Sequence, residues 1–116
     1  MPVTPYSLNA HAIELIKKHK LDEGENLLWE ALKIYSFYVP AMKNLAYIEI
    51  QRKNFKKAEK IYKKILFIQP RTSEVNFYLG LMYDAWGKHK KALEHYRAEL
   101  RLNPTHKGAK KKLESK

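Results

Sequence analysis

The chain has no cysteine, only four glycines among 116 residues, and no long apolar run. Without cysteine there is no disulfide framework and no thiolate chemistry. The four glycines do not cluster, so no glycine-rich loop is available to cradle a phosphate. No apolar stretch approaches the roughly 18 residues needed to span a bilayer. The first ten residues contain Pro2, Pro5, Ser7 and Asn9 and lack a basic start followed by an apolar stretch, so they do not read as a signal peptide. With Met1 as the natural start, these absences predict a cytoplasmic protein.

Acidic residues are scarce as well. Twelve Asp and Glu face 23 Lys and Arg, a net charge of +11. The excess is uneven: residues 5–38 carry −1, 39–72 carry +7, 73–106 carry +1, and 107–116 carry +4. Charge placed this way fits either a solvated face with a basic tail or an acidic partner: a peptide, nucleic acid or anionic lipid.

What the chain does contain is repetition. Gly24, Ala58 and Ala92 are spaced 34 residues apart. The same step relates Leu28, Tyr62 and Tyr96, then Leu32, Leu66 and Leu100, and also Pro70 and Pro104. A fixed period of this length signals hairpins stacked in a row. Such stacks build surfaces rather than pockets, which turns the functional question from catalysis to binding.

Each period holds two helical stretches. In the middle one, Met42, Leu45, Ala46 and Ile48 mark the first helix and Asn54 ends it. Ala58, Ile61, Tyr62, Ile65, Leu66 and Ile68 form the broad apolar stripe of the second. Its opposite face carries a candidate basic patch: Lys56, Lys57, Lys60, Lys63 and Lys64. In the third period Ser73 is a plausible N-cap, Val75, Leu79, Met82 and Tyr83 form the apolar face, and Gly87-Lys88 makes the turn. In the first period Leu8, Ala12, Leu15 and Ile16 precede a turn near His19-Lys20, and Ser36 stands where the other periods have proline. Pro40 opens the next helix, where its fixed φ is favourable. No strand-like alternation of useful length occurs. The fold class is all-α, with six main helices, loops of about two to five residues and a short terminal helix.

At these residues the chain resembles the tetratricopeptide repeat family. Residues 73–106 match it best, with Leu79-Gly80, Tyr83, Ala92, Tyr96 and Pro104 at the family spacing. Residues 39–72 keep Leu45-Ala46, Ala58, Tyr62 and Pro70 but carry Glu49 where Tyr83 sits one period later. Residues 5–38 keep Ala12, Gly24, Leu28 and Ala31 and depart at His11 and Ser36. The resemblance implies one domain over 1–116: a right-handed solenoid of three hairpins (5–38, 39–72, 73–106) and a cap over 107–116. Gly80, Ala46 and Ala12, with Gly24, Ala58 and Ala92 opposite, would stand where paired helices approach closely. The cap is weak, with only Ala109 and Leu113 able to cover the third hairpin.

The resemblance also implies a concave groove lined by the first helix of each hairpin. Its candidate residues are Asn9, Ile13 and Lys17, then Lys43, Asn44, Tyr47 and Ile50, then Phe77, Tyr78, Leu81 and Asp84. Aromatic anchors within a polar rim suit an interface, although Tyr47, Phe77 and Tyr78 equally suit packing between hairpins. One family variant holds the acidic C-terminus of heat-shock chaperones. Asn44 stands at its central amide, but Asn9, Ile13, Glu74 and Tyr78 stand where its other clamp residues would be, so such a peptide should bind no better than a scrambled one. Bacterial type III secretion chaperones share this size and repeat number, and no residue singles out that subgroup.

No catalytic, metal or cofactor constellation is evident. His11, His19, His89, His95 and His106 are scattered and lack partners at ligand spacing. His11 falls on the expected packing face, as a core histidine. Trp29 reads as core-edge packing or an interface anchor, and Trp86 as a cover for the hairpin turn. The leading reading is a non-catalytic module that binds a peptide or helix of another protein, as a monomer or weak homo-oligomer. The alternatives are docking of nucleic acid or an acidic protein through the basic patch and tail, or self-assembly of stacked repeats.

Overall fold

A computed structural model describes residues 3–115. Seven α-helices make up the regular structure of these residues: α1 (Pro5–Lys17), α2 (Leu21–Ile34), α3 (Val39–Gln51), α4 (Phe55–Ile68), α5 (Val75–Ala85), α6 (His89–Leu102) and α7 (Lys107–Glu114). None is long and apolar enough to cross a membrane. The chain divides into two compact units, the first ending at Ile61 and the second beginning at Tyr62, so the division falls inside the unbroken helix α4.

In the first unit, α1 opens with a capping box. Thr4 Oγ1 accepts from the Ser7 N–H and Ser7 Oγ from the Thr4 N–H, both at 3.0 Å. Pro5 follows at the first turn, where its missing N–H costs nothing. The small residues bring α1 and α2 together: a Cβ on Gly24 would lie 3.2 Å from Ile16 Cγ1 and 3.4 Å from the Ala12 carbonyl oxygen. Leu8, Ala12, Leu28, Ala31, Ala41, Leu45 and Ile48 form the core.

Glu49, the departure from the repeat in α3, is buried. It is answered by Arg52, which donates to Glu25 at 2.9 Å and to Glu49 at 3.4 Å and also pairs with Asp22. One guanidinium thus ties the start of α2 to the end of α3 and neutralises a carboxylate that would be costly to bury alone. The hydrogen bond to Glu25 is the chief reason the Arg52 pKa rises further.

The second unit is built on the pairing of α5 with α6. Leu79, Met82, Tyr83, Ala92 and Tyr96 are buried there. Burial, with Tyr78 adding, pushes up the Tyr62 pKa. The beginning of α5 differs from the expected Ser73 cap. The helix starts at Val75, and the N-cap residue is Glu74, held at φ 77° with no side-chain cap of its own. The cap comes from α6 instead: the buried Glu99 carboxylate accepts from the N–H groups of Glu74 (3.2 Å) and Phe77 (3.3 Å). A tertiary acceptor has taken the place of a local one.

Three turns share one geometry. His19, Lys53 and Gly87, spaced 34 residues apart, have φ of 61°, 62° and 83°. In each, the N–H of the next residue (Lys20, Asn54, Lys88) reaches back five residues to a helical carbonyl (Leu15, Glu49, Tyr83). This is the Schellman closure of a helix. The loop between α4 and α5, residues 69–74, is one residue longer than the two-to-five range expected.

The terminal helix is better tied than its sequence suggested. His106 Nδ1 accepts from the Ala109 N–H at 3.1 Å as the N-cap of α7. Ala109 is buried, and a Cβ on Gly108 would lie 2.8 Å from the Phe77 ring. His11 is exposed rather than in the core, because it lies one step off the Leu8–Ala12 stripe that α1 buries. Trp29 does not pack at the core edge: it is 52% exposed, one position beyond Leu28. Trp86 stacks on Tyr83 with ring centroids 6.3 Å apart, and Lys88 Nζ sits 3.7 Å above it.

Candidate functional site

Within the first unit, α1 and α3 are neighbours, and their contact is partly polar. Asn44 Nδ2 donates to Asn9 Oδ1 at 2.8 Å. Asn9 is thereby buried and serves as the anchor for Asn44 rather than as an open contact. Beside this pair lies an open depression of about 290 Å³ lined by Ile13, Ile16, Lys17, His19, Asn44 and Tyr47. Four of the sequence-derived candidates, Ile13, Lys17, Asn44 and Tyr47, come together in it. Lys43 and Ile50 are half-buried and do not line it.

The lining is chemically mixed. Ile13 and Ile16 supply an apolar floor, Tyr47 a ring that is 45% exposed, Asn44 an amide, and Lys17 an ammonium group. Lys17 lies 3.6 Å from Glu14, a pair exposed on both sides and therefore weak. Ile16 and His19 were not among the candidates. Ile16 lies three residues after Ile13, on the same face, and His19 occupies the position that Gly87 holds two periods later; the 34-residue alignment carries that signal.

In the second unit the α5 candidates divide differently. Tyr78 is 42% exposed and Leu81 half-buried. Phe77 is engaged internally, with its ring 4.6 Å from that of His106 and 5.9 Å from that of Tyr96. Asp84 accepts from the Tyr96 hydroxyl at 2.6 Å and from His89 Nδ1 at 2.8 Å. Burial is the first cause of the raised Tyr96 pKa and the bond to Asp84 the second.

Glu74, Glu99 and His106, which are far apart in sequence, place potential metal-ligating atoms within 4.8 Å of one another. Their hydrogen bonds account for the grouping. Both Glu99 oxygens accept backbone N–H groups. His106 Nδ1 accepts from Ala109, which puts the proton on Nε2, and Nε2 donates to Glu74 at 2.6 Å. The cluster is a clasp joining α5, α6 and α7.

The five lysines of the basic patch, Lys56, Lys57, Lys60, Lys63 and Lys64, are all exposed on α4.

Residues 73–106, the third hairpin, match the family model for the tetratricopeptide repeat. This segment is a tetratricopeptide repeat. No curated protein matches the sequence. Solved structures with the tetratricopeptide fold do. The first such domain of Spaghetti (RPAP3), bound to the HSP90 peptide SRMEEVD, has a TM-score of 0.87 at 19% identity, over 97% of this chain and 89% of that one. The first such domain of human RPAP3 has a TM-score of 0.88 at 19% identity, over 97% and 88%. The domain of Arabidopsis OM64 has a TM-score of 0.84 at 20% identity, over 92% and 88%. At these identities the likeness is one of fold: an all-α tetratricopeptide array of helical hairpins.

Proposed function

We propose that this protein is a non-catalytic interaction module that takes an extended peptide or a helix of a partner protein against the α1–α3 face. The observation that carries the reading is the depression lined by Ile13, Ile16, Lys17, His19, Asn44 and Tyr47. An apolar floor beside an exposed aromatic ring, rimmed by an amide and a cation, is the composition interfaces favour. The peptide-bound RPAP3 domain of the same fold supports a peptide as the ligand class. The polar residues that a chaperone clamp needs are mostly replaced here, so SRMEEVD is not the expected ligand.

Peptides selected from a random displayed library against the full chain test this reading. Bound peptides should shift the NMR signals of Ile13, Asn44 and Tyr47 first. Tyr47→Ala should weaken them about tenfold or more, as expected for an aromatic anchor, while SRMEEVD should bind no better than its scramble. Selected peptides whose shifts map away from α1 and α3, or whose affinity ignores Tyr47→Ala, would refute it.

A further inference from the structure

The surface of α4 is not accounted for by a peptide site on α1 and α3. Lys56, Lys57, Lys60, Lys63 and Lys64 are exposed, and so is Phe67, at 87% the most exposed of the large hydrophobic side chains described. At about 100° per residue, all six fall within an arc of about 120°, and Phe67 lies about 20° from Lys60 at its centre. The row from Lys56 to Phe67 is about 16 Å long. The single acidic residue of α4, Glu59, is half-buried and lies about 40° beyond Lys63, at one edge of the arc, and about 100° from Lys60 at its centre.

The repeat does not require this face. One period earlier the positions of Lys56, Lys57, Lys60 and Lys64 hold Asp22, Glu23, Asn26 and Glu30; one period later they hold Lys90, Lys91, Glu94 and Ala98. Phe67 stands where the other second helices carry the exposed cations Lys33 and Arg101. A large apolar ring left in water at a position where the fold accepts lysine is a cost with no return inside the molecule.

We propose that α4 docks this protein peripherally on an anionic lipid surface, its lysines meeting headgroup phosphates and carboxylates and Phe67 entering between the headgroups. The charge of the stripe is complementary to such a surface, and clustered lysines on one helix face are drawn to it additively. The ring in the middle of the arc separates lipid from the other polyanions. A nucleic acid gains most from aromatics interleaved along its track, and one Phe does not supply that. An acidic peptide is better held in a groove than on a single outward helix face.

Co-sedimentation of the full chain with phosphatidylcholine vesicles, with and without phosphatidylserine, tests the proposal. Binding should require phosphatidylserine and fall with added salt. Replacing Lys56, Lys57, Lys60 and Lys64 together with Gln should weaken it more than about a hundredfold, at about fivefold per lysine. Phe67→Ser should weaken it about tenfold while the salt dependence persists. All five side chains are exposed, so helicity and Tm should be unchanged in both variants. The proposal is overturned if phosphatidylserine adds nothing, if either variant binds like the parent, or if a mixed-sequence oligonucleotide or polyglutamate binds more tightly than the vesicles at equal salt.

Discussion

The Glu99 carboxylate on α6 accepts from the Phe77 N–H at 3.3 Å, and so caps a helix that begins 24 residues before it. Its other oxygen takes the Glu74 N–H. The negative charge lies at the positive end of the α5 dipole. Glu99→Ala would orphan both N–H groups inside the protein, at a cost of about 1–3 kcal/mol. The expected drop in Tm is about 5–10 °C. Glu99→Gln keeps an acceptor and loses the charge, so its midpoint should lie between the two. Equal midpoints for parent and Ala variant would remove the capping role.

The three left-handed turns differ only in residue. Gly87 meets no Cβ penalty, whereas His19 and Lys53 hold the same conformation with one. His19→Gly and Lys53→Gly should each raise stability by about 1 kcal/mol, and Gly87→Ala should lower it by a similar amount. Chemical denaturation with unchanged m-values would measure this. Because His19 lines the depression on α1 and α3, its variant also reports on peptide affinity.

Gly80 is set against the Tyr96 ring. A Cβ there would lie 2.3 Å from Tyr96 Cε1. The ring is fully buried, and its hydroxyl is held by Asp84. Gly80→Ala should therefore cost at least the ~1–3 kcal/mol of overpacking. Adding Tyr96→Leu should recover part of that loss. Additive effects of the two changes would mean that they do not share this contact.

Tyr62 and Tyr96 both have raised pKa values in the folded protein, chiefly through burial. A tyrosine in the unfolded chain ionises near 10. Above that pH the unfolded state releases protons that the folded state retains, so stability is intact below about pH 10 and declines as pH rises past it. The slope of unfolding free energy between pH 9 and 11 should be less steep in Tyr62→Phe than in the parent. An identical slope would show that Tyr62 does not contribute.

Much of this was legible in the chain. The small residues at 12, 24, 58, 80 and 92 marked close approaches; Gly80 has no room for a larger side chain, and at Gly24 an added Cβ would press on Ile16. The periodic apolar residues placed the helices to within a few residues. The site was legible only in part. Ile13, Lys17, Asn44 and Tyr47 were chosen from one helix face each and do line one depression. Asn9, Phe77 and Asp84 sit at equivalent face positions, yet their polar atoms or rings are taken by Asn44, His106 and Tyr96. Face position says where a side chain starts; it does not say which partner from another helix meets it.

By itself, the sequence determined the seven helices, the pairing of α1 with α2 and of α5 with α6, and the lysine face of α4. These follow from local periodicity, turn residues and a 34-residue register, all of which act within a few turns of chain. Tertiary structure alone decided that Glu99 caps α5, that Arg52 gathers Asp22, Glu25 and Glu49, and that His106 clasps Glu74 beside Phe77. Apart from Arg52–Glu49, which has the local i,i+3 spacing, each of these joins groups 22 to 32 residues apart whose bonds have no periodic signature. They exist because a buried charge or an orphaned N–H must find whichever partner the packed helices bring within reach.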